Sequence, residues 1–131
     1  MAEHPNVDLI RRGFAAFNTA DMATLSELMA ENSVQHMAGS NPVLSGDHHG
    51  RDAIFAMYGR IGEESGGTFR AELERVWAGD DTAVALYRAT AERNGKTVDQ
   101  TNALVFRISD GIVTELTDLP ADADEQDAFW S

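Results

Sequence analysis

The chain has 131 residues, a formal charge of -12 from 22 acidic against 10 basic side chains, and no cysteine. Its length is that of one domain around one core, so a single domain over residues 1–131 is expected. The charge disfavours nucleic-acid backbones and anionic membranes as partners, and the lack of Cys excludes disulfides, thiolate nucleophiles and thiolate-bound metals.

The stretch from Met1 to Asn6 has neither the basic flank nor the apolar centre of a secretory signal. No apolar run approaches the roughly 20 residues that span a bilayer, so a cytoplasmic location is expected. Asn6 is positioned to cap a helix whose apolar residues Val7, Ile10, Phe14 and Phe17 recur at three- and four-residue intervals. Gly13 inside that helix costs about 0.5–1 kcal/mol relative to Ala, which predicts a close approach by a neighbouring element. After the break at Asn18-Thr19-Ala20, Asp21 caps a second helix that buries Leu25, Leu28 and Met29.

Ser33 to Met37 reads as a short strand. Residues 38–50 hold three Gly and one Pro and read as a long loop. Within it, Asp47-His48-His49 invites a metal reading, but adjacent imidazoles do not ordinarily converge on one ion, and no metal site is expected. A third helix starts near Arg51 with Ile54, Met57, Tyr58 and Ile61 on its buried stripe, and Ser65-Gly66-Gly67 ends it.

Strands follow over 68–78, 82–92 and 98–108, the last two joined by the hairpin signal Asn94-Gly95. A second hairpin at Ser109-Asp110-Gly111 leads into the final strand, where a period of two puts Ile112, Thr114, Leu116 and Asp118 on one face. Val113, Glu115, Thr117 and Leu119 fall on the other. A carboxylate beside Ile112 and Leu116 stands at an open rim or in a pocket. Three early helices followed by a meander predict an α+β fold, a curved and mostly antiparallel sheet wrapped over the helices with room for a cavity. The tail from Asp122 is acidic until Phe129-Trp130, which are expected to pack within the chain, meet a second subunit or form a free end.

Five stretches, taken in order, carry a resemblance: Arg12 to Asp21, His36 to Gly46, Gly50 to Ile54, Gly66 to Arg70, and Asp110 to Asp118. Together they resemble the SnoaL-like branch of the nuclear-transport-factor-like superfamily, which also holds ketosteroid isomerases, limonene-epoxide hydrolases, polyketide cyclases and scytalone dehydratase. The resemblance implies a cone-shaped α+β barrel, a deep apolar cavity between sheet and helices, and a homodimer packed through the sheets. Ketosteroid isomerases use a general-base Asp with an oxyanion hole of Tyr and protonated Asp. On matching, these positions fall at His36, Phe14 and Leu104. Both oxyanion donors are missing, so steroid isomerisation by that route is not expected. Of the Asp–Arg–Asp arrangement of the epoxide hydrolases, Asp118 and Arg88 could supply a part.

SnoaL-type cyclases work with a His and an Asp and no metal, and the resemblance carries these roles onto His36 and Asp118, both pointing into the cavity. An imidazole near its free pKa of about 6.5 exchanges protons at neutral pH, and Asp118 could orient it or act as a base itself, with Leu116 raising its pKa by desolvation. The blander role is a His–Asp pair satisfying its hydrogen bonds at a wet cavity mouth. Gln100, Asn102, Leu104 and Phe106 share one strand face; Gln100 and Asn102 are candidate donors to a ligand carbonyl and Phe106 a wall. Tyr87 could add a hydroxyl, while Phe14, Met37, Met57, Tyr58 and Trp77 are candidate walls. The expected function is a cofactor-independent cyclase, isomerase, dehydratase or hydrolase acting on a small apolar or aromatic ligand. The alternatives are a non-catalytic ligand-binding protein or a dimeric scaffold.

Overall fold

The computed structural model describes residues 3–131; Met1 and Ala2, the start of the stretch read for a targeting signal, lie outside the described residues. The elements are α1 (Pro5–Asn18), α2 (Met22–Leu28), β1 (Met29–Met37), β2 (Gly46–His49), α3 (Arg51–Glu64), β3 (Arg70–Ala78), β4 (Thr82–Arg93), β5 (Lys96–Ser109), β6 (Ile112–Leu119) and α4 (Ala123–Trp130). Six strands form one sheet in the order β2-β1-β6-β5-β4-β3. All neighbours are antiparallel except β1 and β6, and β2 does not pair with β3, so the sheet curves without closing. The α+β expectation is met, with one strand and one helix more than expected. No helix among the described residues is long and apolar enough to cross a membrane.

Local chemistry explains why the first helix sits where it does. His4, rather than Asn6, is its cap: Nδ1 accepts from the Asn6 backbone N–H at 3.1 Å, and Pro5 at the first turn needs no partner for the N–H it lacks. Asn6 instead sends its side-chain amide to the carbonyls of Gly79 and Asp80 at 2.9 and 3.2 Å, fastening the helix to the β3–β4 turn. At the other end Asn18 exchanges two hydrogen bonds with the backbone of Ala71, at 2.8 and 3.0 Å, behaving as a short extra partner for the edge strand β3. The close approach predicted at Gly13 is not found. A Cβ built there meets nothing within 4 Å, because this face of α1 borders open space.

The two hairpins form where expected. Asn94 and Asp110 adopt φ of 51° and their following glycines 77° and 74°, the left-handed pair that matches strand twist. The alternation of β6, however, is broken. Arg107 pairs with Glu115 and Ile108 with Val113, so Thr114 is an extra residue on β6. Val113 is therefore buried on the same side as Leu116 and Asp118, against the strict period of two.

The segment 38–50 is also more ordered than a loop: 46–49 pairs with β1 as β2, and Asn41 closes a turn by accepting from the N–H groups of Val43 and Leu44 at 3.1 and 2.7 Å. The acidic tail ends as helix α4, capped by Asp122 and packed within the chain. Phe129 and Trp130 are fully buried, edge to face at 4.8 Å. Asp127 on the same helix accepts from the backbone N–H groups of Ser40 and Asn41 and from the Asn41 amide, at 2.9 to 3.2 Å. Among the described residues, Trp77 and Leu119 are the large apolar side chains left about half exposed, on the outer face of the sheet.

Candidate functional site

The inner face of the sheet and the helices α1, α2, α3 and α4 line a partly open cavity of about 110 Å³. A cavity of about 150 Å³ accepts benzene, so this one is on the scale of a single ring. Its lining includes Phe14, Met37, Met57, Tyr58, Tyr87, Gln100, Asn102, Leu104, Phe106, Leu116 and Asp118, which are gathered from α1, α3 and four strands. A wider space of about 550 Å³ lies between the end of α1 and the glycine-bearing face of α3. The two share Phe17, Leu25, Tyr58, Ile61 and Phe69, so they lie side by side across these apolar side chains.

Asp118 is 2 % exposed. Tyr87, two strands away, reaches across β5 and donates its hydroxyl to Asp118 Oδ1 at 2.5 Å. Asp118 Oδ2 is buried and has no partner among the described residues. Burial raises the Asp118 carboxyl to about 6, against the lowering effect of the Tyr87 hydrogen bond. The Tyr87 phenol is pushed well above its ordinary value, first by burial and then by the neighbouring carboxylate. A second polar pair stands beside this one: Tyr58 donates to Gln35 Oε1 at 2.6 Å, and Gln35 Nε2 rests on the Met37 sulfur at 3.3 Å. The Tyr58 phenol is likewise raised, mainly by burial.

His36 does not enter the cavity. Along β1 the buried residues are Met29, Ser33, Gln35 and Met37, and His36 projects from the face opposite to Ser33, Gln35 and Met37. There Nδ1 meets Asp47 Oδ1 and Nε2 meets Glu115 Oε2, both at 2.7 Å. Carboxylates only accept, so both ring nitrogens must carry protons. The imidazolium is accordingly favoured, first by Asp47 and then by Glu115. The expected meeting of His36 with Asp118 is thus corrected: the structure gives Asp118 a tyrosine as partner and gives His36 two surface acids.

A raised histidine pKa has a definite sign. The contribution to stability is complete below the unfolded value near 6.5 and is lost as pH rises through the higher folded value. His36→Gln should therefore lower the melting temperature at pH 6 by about 3 °C, the scale of a part-exposed ion pair. The gap should close toward pH 9. Differential scanning calorimetry across that range checks it, and a gap that widens with pH would contradict the assignment.

Two further expectations are corrected. Trp77 is no wall of the cavity: it is 49 % exposed on the outer face, under the Arg75 guanidinium at 5.1 Å. Arg88 also lies outside, paired with Asp99 at 2.6 and 2.8 Å, so Asp118 and Arg88 form no epoxide-opening pair. Gln100 and Asn102 reach the cavity, yet both hold the chain that enters α4: Gln100 exchanges two hydrogen bonds with the Asp122 backbone, and Asn102 accepts from Ala121 N–H. His48 is engaged with the Leu44 carbonyl at 2.7 Å and Asp47 with His36.

The fold has counterparts among known proteins. The family model described as a SnoaL-like domain matches residues 10–116. The chain belongs to the SnoaL-like family. An uncharacterised protein of Mycobacterium tuberculosis, Rv0034, is 33 % identical over 132 residues, covering 100 % of both chains. The structure of Bal32a, from a soil-derived mobile gene cassette, is 44 % identical, with a TM-score of 0.92 and 96 % of each chain covered. An NTF2-like protein of unknown function from Burkholderia pseudomallei shares the fold at 20 % identity, with a TM-score of 0.84 over 96 % of this chain and 97 % of its own. SnoaL-like membership accounts for the open sheet over helices; the chemistry has to be argued from the cavity.

Proposed function

We propose that this SnoaL-like protein is a cofactor-independent enzyme that moves a proton on a compact, mostly apolar substrate, with Asp118 as the acid–base group. One observation carries the reading: a carboxyl that is 2 % exposed, raised to about 6, held at one oxygen by Tyr87 and unpartnered at the other. A base whose pKa lies near the working pH is ionised often enough to take a proton and acidic enough to return it. Burial at a cavity together with a raised carboxyl is the pattern expected of a functional group.

The step is an exchange at carbon. Asp118 Oδ2 takes the proton of a C–H bond beside a carbonyl, the bonding pair moves into the enolate, the carboxyl proton exchanges with solvent, and Asp118 delivers a solvent-derived proton to carbon or oxygen. Tyr87 keeps Oδ1 engaged and so aims Oδ2. Aldol cyclisation, double-bond isomerisation and dehydration all begin with such a step, which is why the cavity points to a reaction type before it points to one product.

Cyclohexanone and acetophenone in D2O provide the test, with deuterium uptake at the carbon next to the carbonyl followed by NMR. Uptake should exceed that in buffer, rise as pH increases through about 6 and then level, since the carboxylate form is the base. His36→Gln should keep the rate. A second reading, binding without turnover, is favoured by Phe14 and Leu104, which bring no hydrogen-bond donor to the cavity. Saturable binding of the ketones with uptake no faster than in buffer would establish it in place of catalysis.

A further inference from the structure

Among the described residues, four buried side-chain polar atoms have no hydrogen-bond partner: Ser33 Oγ, Arg93 Nε, Asp118 Oδ2 and Gln126 Nε2. Of the four residues, Asp118 and Gln126 line the cavity. Gln126 lies on α4, is 5 % exposed, and lines that space together with Trp130, Val98 and Gln100. A buried amide left unpaired costs stability, and an apolar side chain of similar size would not incur that cost.

The neighbouring amides show that the chain can satisfy such groups. Asn41 accepts two backbone N–H groups and donates to Asp127; Gln100 exchanges two bonds with Asp122; Gln35 accepts from Tyr58. Nor is Gln126 on a loose element. The adjacent Asp127 is bound to Ser40 and Asn41, Arg93 donates to the Phe129 carbonyl at 3.1 Å, and Trp130 is 1 % exposed. The amide is held in place and left unpaired at the wall of a cavity.

We propose that Gln126 is a ligand-binding residue whose Nε2 donates a hydrogen bond to an oxygen acceptor of the molecule in the cavity. The proposal deepens the catalytic reading by naming the substrate class, and rests on it only in taking the cavity as the substrate site. With Asp118 Oδ2 as the other unpaired atom, the ligand is a one-ring compound with an oxygen acceptor directed at α4 and a transferable proton directed at β6. A cyclic ketone fits that description and a hydrocarbon does not. A pocket built to pair with an oxygen discriminates against the analogue lacking it, because its own donor is then stranded.

The experiment is a binding measurement, independent of any turnover. Cyclohexanone and methylenecyclohexane, which differ by C=O against C=CH2, are titrated by NMR into the wild type, Gln126→Leu and Gln126→Met. Both variants should bind the ketone about tenfold more weakly while binding the hydrocarbon as well or better. Both should also melt at or above the wild-type temperature, since a stranded donor has been removed. An equal change for the two probes, no saturable ketone binding by the wild type, or a lowered melting temperature in both variants would overturn the proposal. Because binding alone is read, the selectivity can stand even if deuterium uptake is never seen, and the uptake can stand if the selectivity fails.

Discussion

Asp118→Asn is expected to raise the melting temperature at pH 7.5 while lowering ketone deuteration by at least about a hundredfold. The two effects have one cause. An unfolded Asp titrates near 3.9 and the folded carboxyl near 6, so the folded state holds this proton more tightly than the unfolded chain does. Its favourable contribution is complete below the unfolded value and is lost as pH climbs through the folded one. Two units correspond to about 3 kcal/mol by pH 7. Asn is neutral throughout, and its carbonyl oxygen can still accept from Tyr87, so the variant should not follow that fall. Its advantage should be small at pH 4, grow between pH 4 and 6, and stay constant above, reaching about 10 °C. Thermal melts at several pH values read this directly. A variant less stable than the wild type at pH 7.5 would mean that the ionised carboxylate serves the fold, and the acid–base role would fall with it.

The sequence carried most of the architecture because its signals were local. Asp21 as a cap, Asn94-Gly95 and Asp110-Gly111 as hairpins, and the stripe Ile54, Met57, Ile61 each depend on a few adjacent residues, and each forms as its local chemistry requires. Placement of the site residues depended on parity, where one extra residue reverses a face. His36 and Met37 are neighbours on one strand, so the two could not both point inward. The burial of Met37 among Leu44 and Trp130 decides the matter and sends His36 out. In β6 the bulge at Thr114 gave the opposite result, turning Val113 inward beside Leu116. No local pattern marks a bulge of that kind.

Two residues were overlooked for different reasons. Gln35 stood next to a histidine that drew the chemistry to itself, although strand parity with Met37 was enough to find it. Gln126 lay in an acidic tail, Asp122 to Asp127, that reads as solvated. The available signal was the Asp122 cap four residues before Gln126, followed by Phe129 and Trp130 at helical spacing, which together describe a short helix with one buried side. The Tyr87–Asp118 pair was beyond such reading, because it joins β4 to β6 across a full strand and depends on sheet curvature.

Trp130→Ala should cost about 3–5 kcal/mol, a large part of what an ordinary domain possesses. Helix α4 has eight residues, too few to persist in water by its own hydrogen bonds, so packing must hold it. Trp130 supplies much of that packing: it is 1 % exposed, meets Phe129 edge to face and stands 6.1 Å from Phe69. Without the indole, what ties the helix down is Phe129, the Gln100 and Asn102 bonds to Asp122 and Ala121 at its start, the Asp127 contacts with Ser40 and Asn41, and the Arg93 and Lys96 bonds to the last carbonyls. These polar ties are exposed or only part-buried and worth about 1 kcal/mol or less singly. Urea denaturation measures the loss, and hydrogen exchange over 123–130 should quicken more than in β4 or β5, since α4 would open before the sheet does. A cost below about 1 kcal/mol would show that the helix is secured by its polar contacts instead. The distinction bears on the cavity, because Gln126 and Trp130 both line it: if the indole holds α4, the wall that carries the proposed ligand donor and the core that stabilises the chain are one structure.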